Sequence, residues 1–170
     1  ITVAVMDMWD PFIKSVKNNT NAEIVFDKFH IAKKVNEALD TIRKNEFAKA
    51  DKEERINMKH KRFLILYRNK NLNKEQEKDL NELMDQNKNL YKAYLLKEQV
   101  LGIFERRQKN VALERLKSWK ENVQKSNIKE FQKVLKTLEH YWYGIDNYFT
   151  HHVTNGASEG YNNKINIIKR

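Results

Sequence analysis

The chain has 170 residues, and its 33 Lys and Arg against 23 Asp and Glu give a formal net charge of +10. This balance favours polyanionic partners such as nucleic acid, and a charge-rich helical protein without such a partner is an equal alternative. The absence of cysteine excludes disulfides and cysteine-ligated zinc sites, and no apolar run approaches the roughly 20 residues of a membrane-spanning helix.

A strand and a helix are predicted at the start of the chain. Residues 1–6 form a short β-branched apolar run, which predicts a strand buried on both faces. Asp7 ends this run. Asp10 followed by Pro11 predicts a helix with Asp10 as its N-cap and proline in the first helical position.

A second strand is predicted at residues 23–26, where another apolar run ends at Asp27. The order strand, short helix, strand implies a right-handed parallel crossover. Functional groups gather at the carboxyl ends of such parallel strands, and both Asp7 and Asp27 lie there. Both aspartates are therefore candidate site residues.

From Phe29 onward, the apolar residues recur with helical spacing and the Asn-rich stretches 69–73 and 87–89 separate the segments. Asn73 and Gln76 resemble a capping box at a helix start. The first and last predicted stripes are Ile31, Val35, Leu39 and Ile42, and Ile128, Phe131, Leu135, Leu138 and Trp142. The sequence predicts a mainly α fold with a strand–helix–strand unit at 1–30, a helical region at 31–150 and a terminal helix at 151–170.

Two local patterns at the strand ends are candidates for a role in binding or catalysis. The Asp7 carboxylate suits a hard divalent cation, or it caps a turn. His30 lies three residues after Asp27, so the two side chains could meet across the first turn of a helix that Asp27 caps; the favoured interpretation is the same cap beside a core histidine. Lys33 and Lys34 extend a basic edge from this point.

Near the end of the chain, one carboxylate stands among small and amide residues before a basic run. Gly156 and Gly160 flank Glu159 and permit the close approach of a ligand. The alternative role of Glu159 is that of a solvated charge on a capped surface helix. Just before this segment is an aromatic cluster, for which core packing is favoured over stacking on DNA bases; its members are Trp142, Tyr143, Tyr148 and Phe149.

Three segments together give the chain a family resemblance. They are Val5 to Trp9, Ala22 to His30, and Thr154 to Ile165 with the closing Lys169-Arg170. In order and separation they resemble the carboxyl-terminal part of a bacterial insertion-sequence DDE transposase. The resemblance implies an RNase H-like core in which a long helical insertion separates the second acidic residue from the glutamate.

The resemblance also implies the roles of the acidic residues. Asp7 corresponds to the second catalytic aspartate and Glu159 to the catalytic glutamate, both as ligands of two Mg²⁺ or Mn²⁺ ions. Asp27 and His30 correspond to an element that supports the active site. The family's first catalytic aspartate lies on an earlier strand for which this chain has no counterpart. The chain alone is therefore expected to be inactive.

The expected partners are transposon ends and target DNA, in a bacterial cytoplasm where the protein associates with the nucleoid. We also expect a homo-oligomer, because bare strand edges tend to pair with another copy, and no membrane contact. A non-catalytic basic helical nucleic-acid-binding module and a helical interaction scaffold remain alternatives. The residues expected to contact DNA are Lys33, Lys34, Asn155, Asn163, Lys164, Lys169 and Arg170.

Overall fold

The computed structural model describes residues 2–154 and 156. Within them the fold is mainly α-helical with a small parallel sheet, as predicted. The first elements are β1 (Val3–Met6), α1 (Asp10–Asn19) and β2 (Glu23–Phe26). Strands β1 and β2 pair in parallel, with Val3 opposite Glu23 and Met6 opposite Phe26. This register brings the residues that follow the two strands to the same edge of the sheet.

Strand β1 is less buried than the sequence predicts. Only Met6 is buried, whereas Val3 and Val5 are half-buried. In β2, by contrast, Ile24 to Phe26 are all buried. The difference arises because, among the described residues, the sheet has two strands, and the helix at Trp142–His151 packs mainly on β2.

Helix α1 begins one residue earlier than predicted. Trp9 occupies the N-cap position, and its carbonyl accepts hydrogen bonds from the amides of Phe12 and Ile13, both at 3.1 Å. Asp10 is thus the first helical residue, where its negative charge suits the helix dipole. Its carboxylate accepts a hydrogen bond from the Tyr141 hydroxyl at 2.9 Å instead of capping the helix.

The helical region follows the predicted apolar stripes, and the stripe from Ile31 to Ile42 is buried. The predicted capping box is confirmed, since Asn73 Oδ1 accepts from the Gln76 amide at 2.9 Å and Gln76 Oε1 accepts from the Asn73 amide at 3.0 Å. The helices are α2 (Lys28–Lys49), α3 (Lys52–Met58), α4 (Arg62–Leu66), α5 (Lys74–Gln86), α6 (Lys88–Ile103), α7 (Lys109–Ser126), α8 (Lys129–His140) and α9 (Trp142–His151), with a 3₁₀ turn at Asn69–Asn71.

Trp142 does not belong to the helix in which its spacing placed it. Helix α8 ends at His140, and Tyr141 leaves helical geometry with φ −99° and ψ 21°. Trp142 then begins α9 and is 40% exposed. The predicted core packing of the aromatic cluster holds for Tyr148 and Phe149, which are buried.

Helix α9 packs directly on β2. The buried Phe26 ring lies edge-on to Tyr141 and Tyr143, with centroid distances of 5.2 and 5.4 Å. Gly144 brings its backbone so close that a Cβ there would lie 2.4 Å from the Phe26 ring. Asn147 Nδ2 also donates to the carbonyl of Ile24 at 2.9 Å. Together these contacts fix the end of β2.

A lysine is fully buried beneath α4. Lys97 on α6 has no exposed side-chain surface, and its Nζ donates to the carbonyls of Ile65 at 2.8 Å and Tyr67 at 2.5 Å. Burial lowers the pKa of Lys97, and the neighbouring Glu98 carboxylate, 2.9 Å from Nζ, opposes this effect. Lys97 thus ties the end of α4 to α6.

Asp40 is a buried anionic centre between α2 and α4. It accepts hydrogen bonds from Arg43 Nε at 2.9 Å and Arg62 Nε at 3.1 Å, and Lys44 Nζ lies 3.1 Å away. Burial alone would raise the pKa of Asp40. The hydrogen bonds from Arg43 and Lys44 and the charges of Arg43 and Arg62 outweigh burial, so the pKa lies below its ordinary value of 3.8.

Asp40→Asn is expected to destabilise the fold by about 1.5–3 kcal/mol at neutral pH, because it removes charge-assisted hydrogen bonds. A carboxyl with a lowered folded-state pKa stabilises fully above its unfolded value of 3.8. That stabilisation is lost as the pH falls through the folded-state pKa. Urea denaturation across a pH series should therefore show a gap between wild type and variant that closes in acid. Asp85→Asn, at an exposed position of α5, is the control; a gap independent of pH contradicts the prediction.

Candidate functional site

Asp7 lies at the carboxyl end of β1 with its side chain 56% exposed. Its carbonyl accepts a hydrogen bond from the Trp9 amide at 2.9 Å, which forms a tight turn into α1. The carboxylate therefore has a fixed backbone and an open side. This combination suits a group that binds a ligand from solvent.

Asp27 lies at the corresponding end of β2 but is fully buried. Its Oδ1 accepts from the Phe29 amide at 2.9 Å, so it is the N-cap of α2, as predicted. Its own amide donates to the carbonyl of Met6 at 3.1 Å, across the two strands. Asp27 thereby sets where α2 starts relative to both strands.

His30 joins the ends of the two strands. Its Nε2 lies 2.5 Å from Asp7 Oδ1, and its amide donates to the carbonyl of Asp27 at 3.1 Å. The sequence spacing paired His30 with Asp27. The contact with Asp7 was not predicted, because it depends on the parallel register that brings the start of α2 beside the end of β1.

A cavity of about 230 Å³ opens beside this pair. The predicted basic residues Lys33 and Lys34 lie on its wall, one turn after His30. Glu37 and Trp9, which no pattern in the sequence had marked as site residues, line it as well. An aromatic residue at the start of a helix, two positions after a candidate aspartate, was the available signal for Trp9. The complete lining is Asp7, Met8, Trp9, His30, Lys33, Lys34 and Glu37.

The other predicted site residues, Asn155, Glu159, Asn163, Lys164, Lys169 and Arg170, lie outside the described residues. Within the described part of the chain, no group of three or more His, Asp or Glu side chains is placed to hold a metal ion. The exposed Asp7 carboxylate fits a divalent cation as a single hard oxygen ligand. A metal ion at Asp7 would therefore need further ligands from outside the described residues.

Comparison with known proteins supports a specific family. The model of a transposase family matches residues 1–170, the whole chain. The chain belongs to this transposase family. A transposase for insertion sequence element IS1001 from Bordetella parapertussis is 30% identical over 156 residues, which is 90% of this chain and 38% of that protein. The chain thus spans well under half the length of this relative. No solved structure matches the chain.

Family membership agrees with the resemblance drawn from the three sequence segments. The segments around Asp7 and from 22 to 30 lie side by side in this transposase chain, at the ends of β1 and β2. The third segment begins at Thr154 and lies mostly outside the described residues. None of the described helices is long and apolar enough to cross a membrane.

Proposed function

We propose that Asp7 and Glu159 are metal-binding carboxylates of a DDE transposase that cleaves and transfers DNA strands. One observation carries the proposal. The exposed Asp7 carboxylate touches His30 at the carboxyl ends of two parallel strands, in a cavity that also presents Lys33 and Lys34. A carboxylate beside basic groups suits a cation and a phosphodiester together.

Each described residue has a distinct part in this proposal. Asp7 holds a divalent cation, and Mg²⁺ or Mn²⁺ when bound supplies charge to activate the attacking oxygen and stabilise the leaving one. His30 orients the Asp7 carboxylate through its 2.5 Å contact. Asp27 positions His30 by capping α2. Lys33 and Lys34 hold backbone phosphates, which positions DNA without reading its sequence.

The activity is proposed for the longer transposase, since the chain spans 38% of its relative. In that protein a water would first cleave a phosphodiester at the element's end, and the freed 3′ hydroxyl would then attack target DNA. Asn155, Asn163, Lys164, Lys169 and Arg170 are proposed as further DNA contacts around Glu159. We propose that the chain alone is inactive, because an additional catalytic aspartate is required, and that the transposase acts as a homo-oligomer.

A strand-cleavage assay on the full-length transposase tests the proposal. The substrate is a duplex that carries the element's end, incubated with Mg²⁺, with Mn²⁺ or with a chelator. Glu159→Gln should lower the cleavage rate at least about 100-fold, since loss of a residue that merely supports a metal ligand already costs 10–100-fold. Asp85→Asn, an exposed carboxylate on α5, is the matched control.

The net charge of +10 also favours a second candidate, a non-catalytic nucleic-acid-binding module. That candidate predicts DNA binding that weakens steeply with salt, without cleavage in any divalent cation. Cleavage that persists in chelator or in Glu159→Gln contradicts the proposed metal chemistry.

A further inference from the structure

Trp9 is a large aromatic side chain that is exposed in the part of the chain that the structure describes. It is 57% exposed, and the neighbouring Phe12 is 55% exposed. The two rings stack with centroids 5.9 Å apart and planes 29° apart. Aromatic side chains normally contribute by burial, so an exposed, stacked pair suggests a surface that contacts another molecule.

The backbone holds Trp9 in a fixed position relative to Asp7. The Trp9 amide donates to the Asp7 carbonyl at 2.9 Å, and the Trp9 carbonyl starts α1 by accepting from Phe12 and Ile13. Helix α1 has Ile13 as its buried residue, and Lys14 on the same helix is exposed. Trp9 is thus mounted on a rigid turn two residues from the candidate metal ligand.

The surroundings of Trp9 are polar and basic. It shares the cavity of about 230 Å³ with Asp7, His30, Lys33, Lys34 and the carboxylate of Glu37. An apolar protein partner would desolvate these charged groups without pairing them. A nucleotide matches both features, because its base offers a π-face to the indole and its phosphate offers an anion to the lysines.

We propose that Trp9 stacks on an unpaired DNA base next to the phosphodiester bond that is cleaved at the Asp7 site. Lys33 and Lys34 hold the adjoining phosphates, and the indole fixes the rotation of the strand. Trp9 is then a positioning residue for a melted or single-stranded DNA end. This inference rests on the proposed function of the Asp7 site.

The test uses full-length transposase and two DNAs in Ca²⁺, one with a three-nucleotide unpaired end that carries 2-aminopurine beside the cleavage position and one fully duplex. Wild type should quench the 2-aminopurine fluorescence on binding. Trp9→Ala should abolish this quenching and weaken binding of the unpaired end about 5- to 150-fold, as expected for loss of one stacked base. Binding of the fully duplex DNA, which has no free base to stack, should change much less, and Trp9→Phe should retain most of the affinity for the unpaired end.

Tyr91→Ala is the matched control, since Tyr91 is 45% exposed on α6. Circular dichroism confirms that each variant is folded, and cleavage by wild type in Mg²⁺ separates the two proposals. If wild type cleaves but Trp9→Ala binds and quenches like wild type, the stacking role is wrong while the proposed function stands. Equal weakening on both DNAs, or a change of oligomeric state in Trp9→Ala, also overturns it; the latter would assign the surface to a second copy of the chain.

Discussion

Asp7→Asn is expected to lower the strand-cleavage rate of the full-length transposase at least about 100-fold while leaving DNA binding intact. The amide keeps the size of the carboxylate but loses the negative charge that a divalent cation requires. Because Asp7 is 56% exposed and its backbone is fixed by the Trp9 turn, the fold should tolerate the change. Cleavage rate and DNA affinity, measured side by side, check the prediction.

His30→Gln provides a graded comparison for this prediction. If His30 acts by orienting Asp7, its loss should lower the cleavage rate about 10–100-fold, less than the loss of Asp7 itself. Asp85→Asn on α5 controls for the removal of a surface carboxylate. An Asp7→Asn rate within a few-fold of wild type would remove Asp7 from the proposed catalytic centre.

Phe26→Ala is expected to destabilise the protein by about 3–5 kcal/mol, the usual cost of truncating a buried aromatic residue. Phe26 has no exposed surface, and its ring contacts Tyr141, which precedes α9, and Tyr143 and Gly144 on that helix. Its removal leaves a cavity between β2 and the helix that covers it. Urea denaturation followed by circular dichroism measures the loss.

Gly144→Ala turns this contact into a double-mutant test. In wild type the new Cβ would lie 2.4 Å from the Phe26 ring, so Gly144→Ala should destabilise by about 1–3 kcal/mol. In the Phe26→Ala background the same methyl group enters empty space and also improves helix propensity. It should then be neutral or stabilising. Additive effects of the two substitutions would show that α9 does not depend on this close approach.

The local signals in the sequence predicted local structure well. Asp27 at the end of an apolar run predicted the N-cap of α2, and Asn73 with Gln76 predicted a capping box, because both depend on residues within one helical turn. The order of two short apolar runs around a helix likewise predicted a parallel strand pair. The candidate aspartates were identified for the same reason, as residues that end strands.

Contacts between distant segments were not predictable in the same way. His30 reaches Asp7 only because β1 and β2 pair in a particular register. Lys97 appears in the sequence as one charged residue among many, and its burial depends on carbonyls presented by α4. Trp142 fitted the stripe of α8, but Tyr141 ends that helix through contacts with Asp10 and Phe26.

The hydrogen bond from Asn147 to the carbonyl of Ile24 has a consequence for how the protein is made. It joins residues 123 positions apart, and ribosomes add about 5–20 residues per second. Roughly 6–25 s therefore pass between synthesis of β2 and synthesis of its covering helix. During this interval the Phe26 face is without α9. The helical cover of β2 is thus added only after α2 to α8 have all been synthesised.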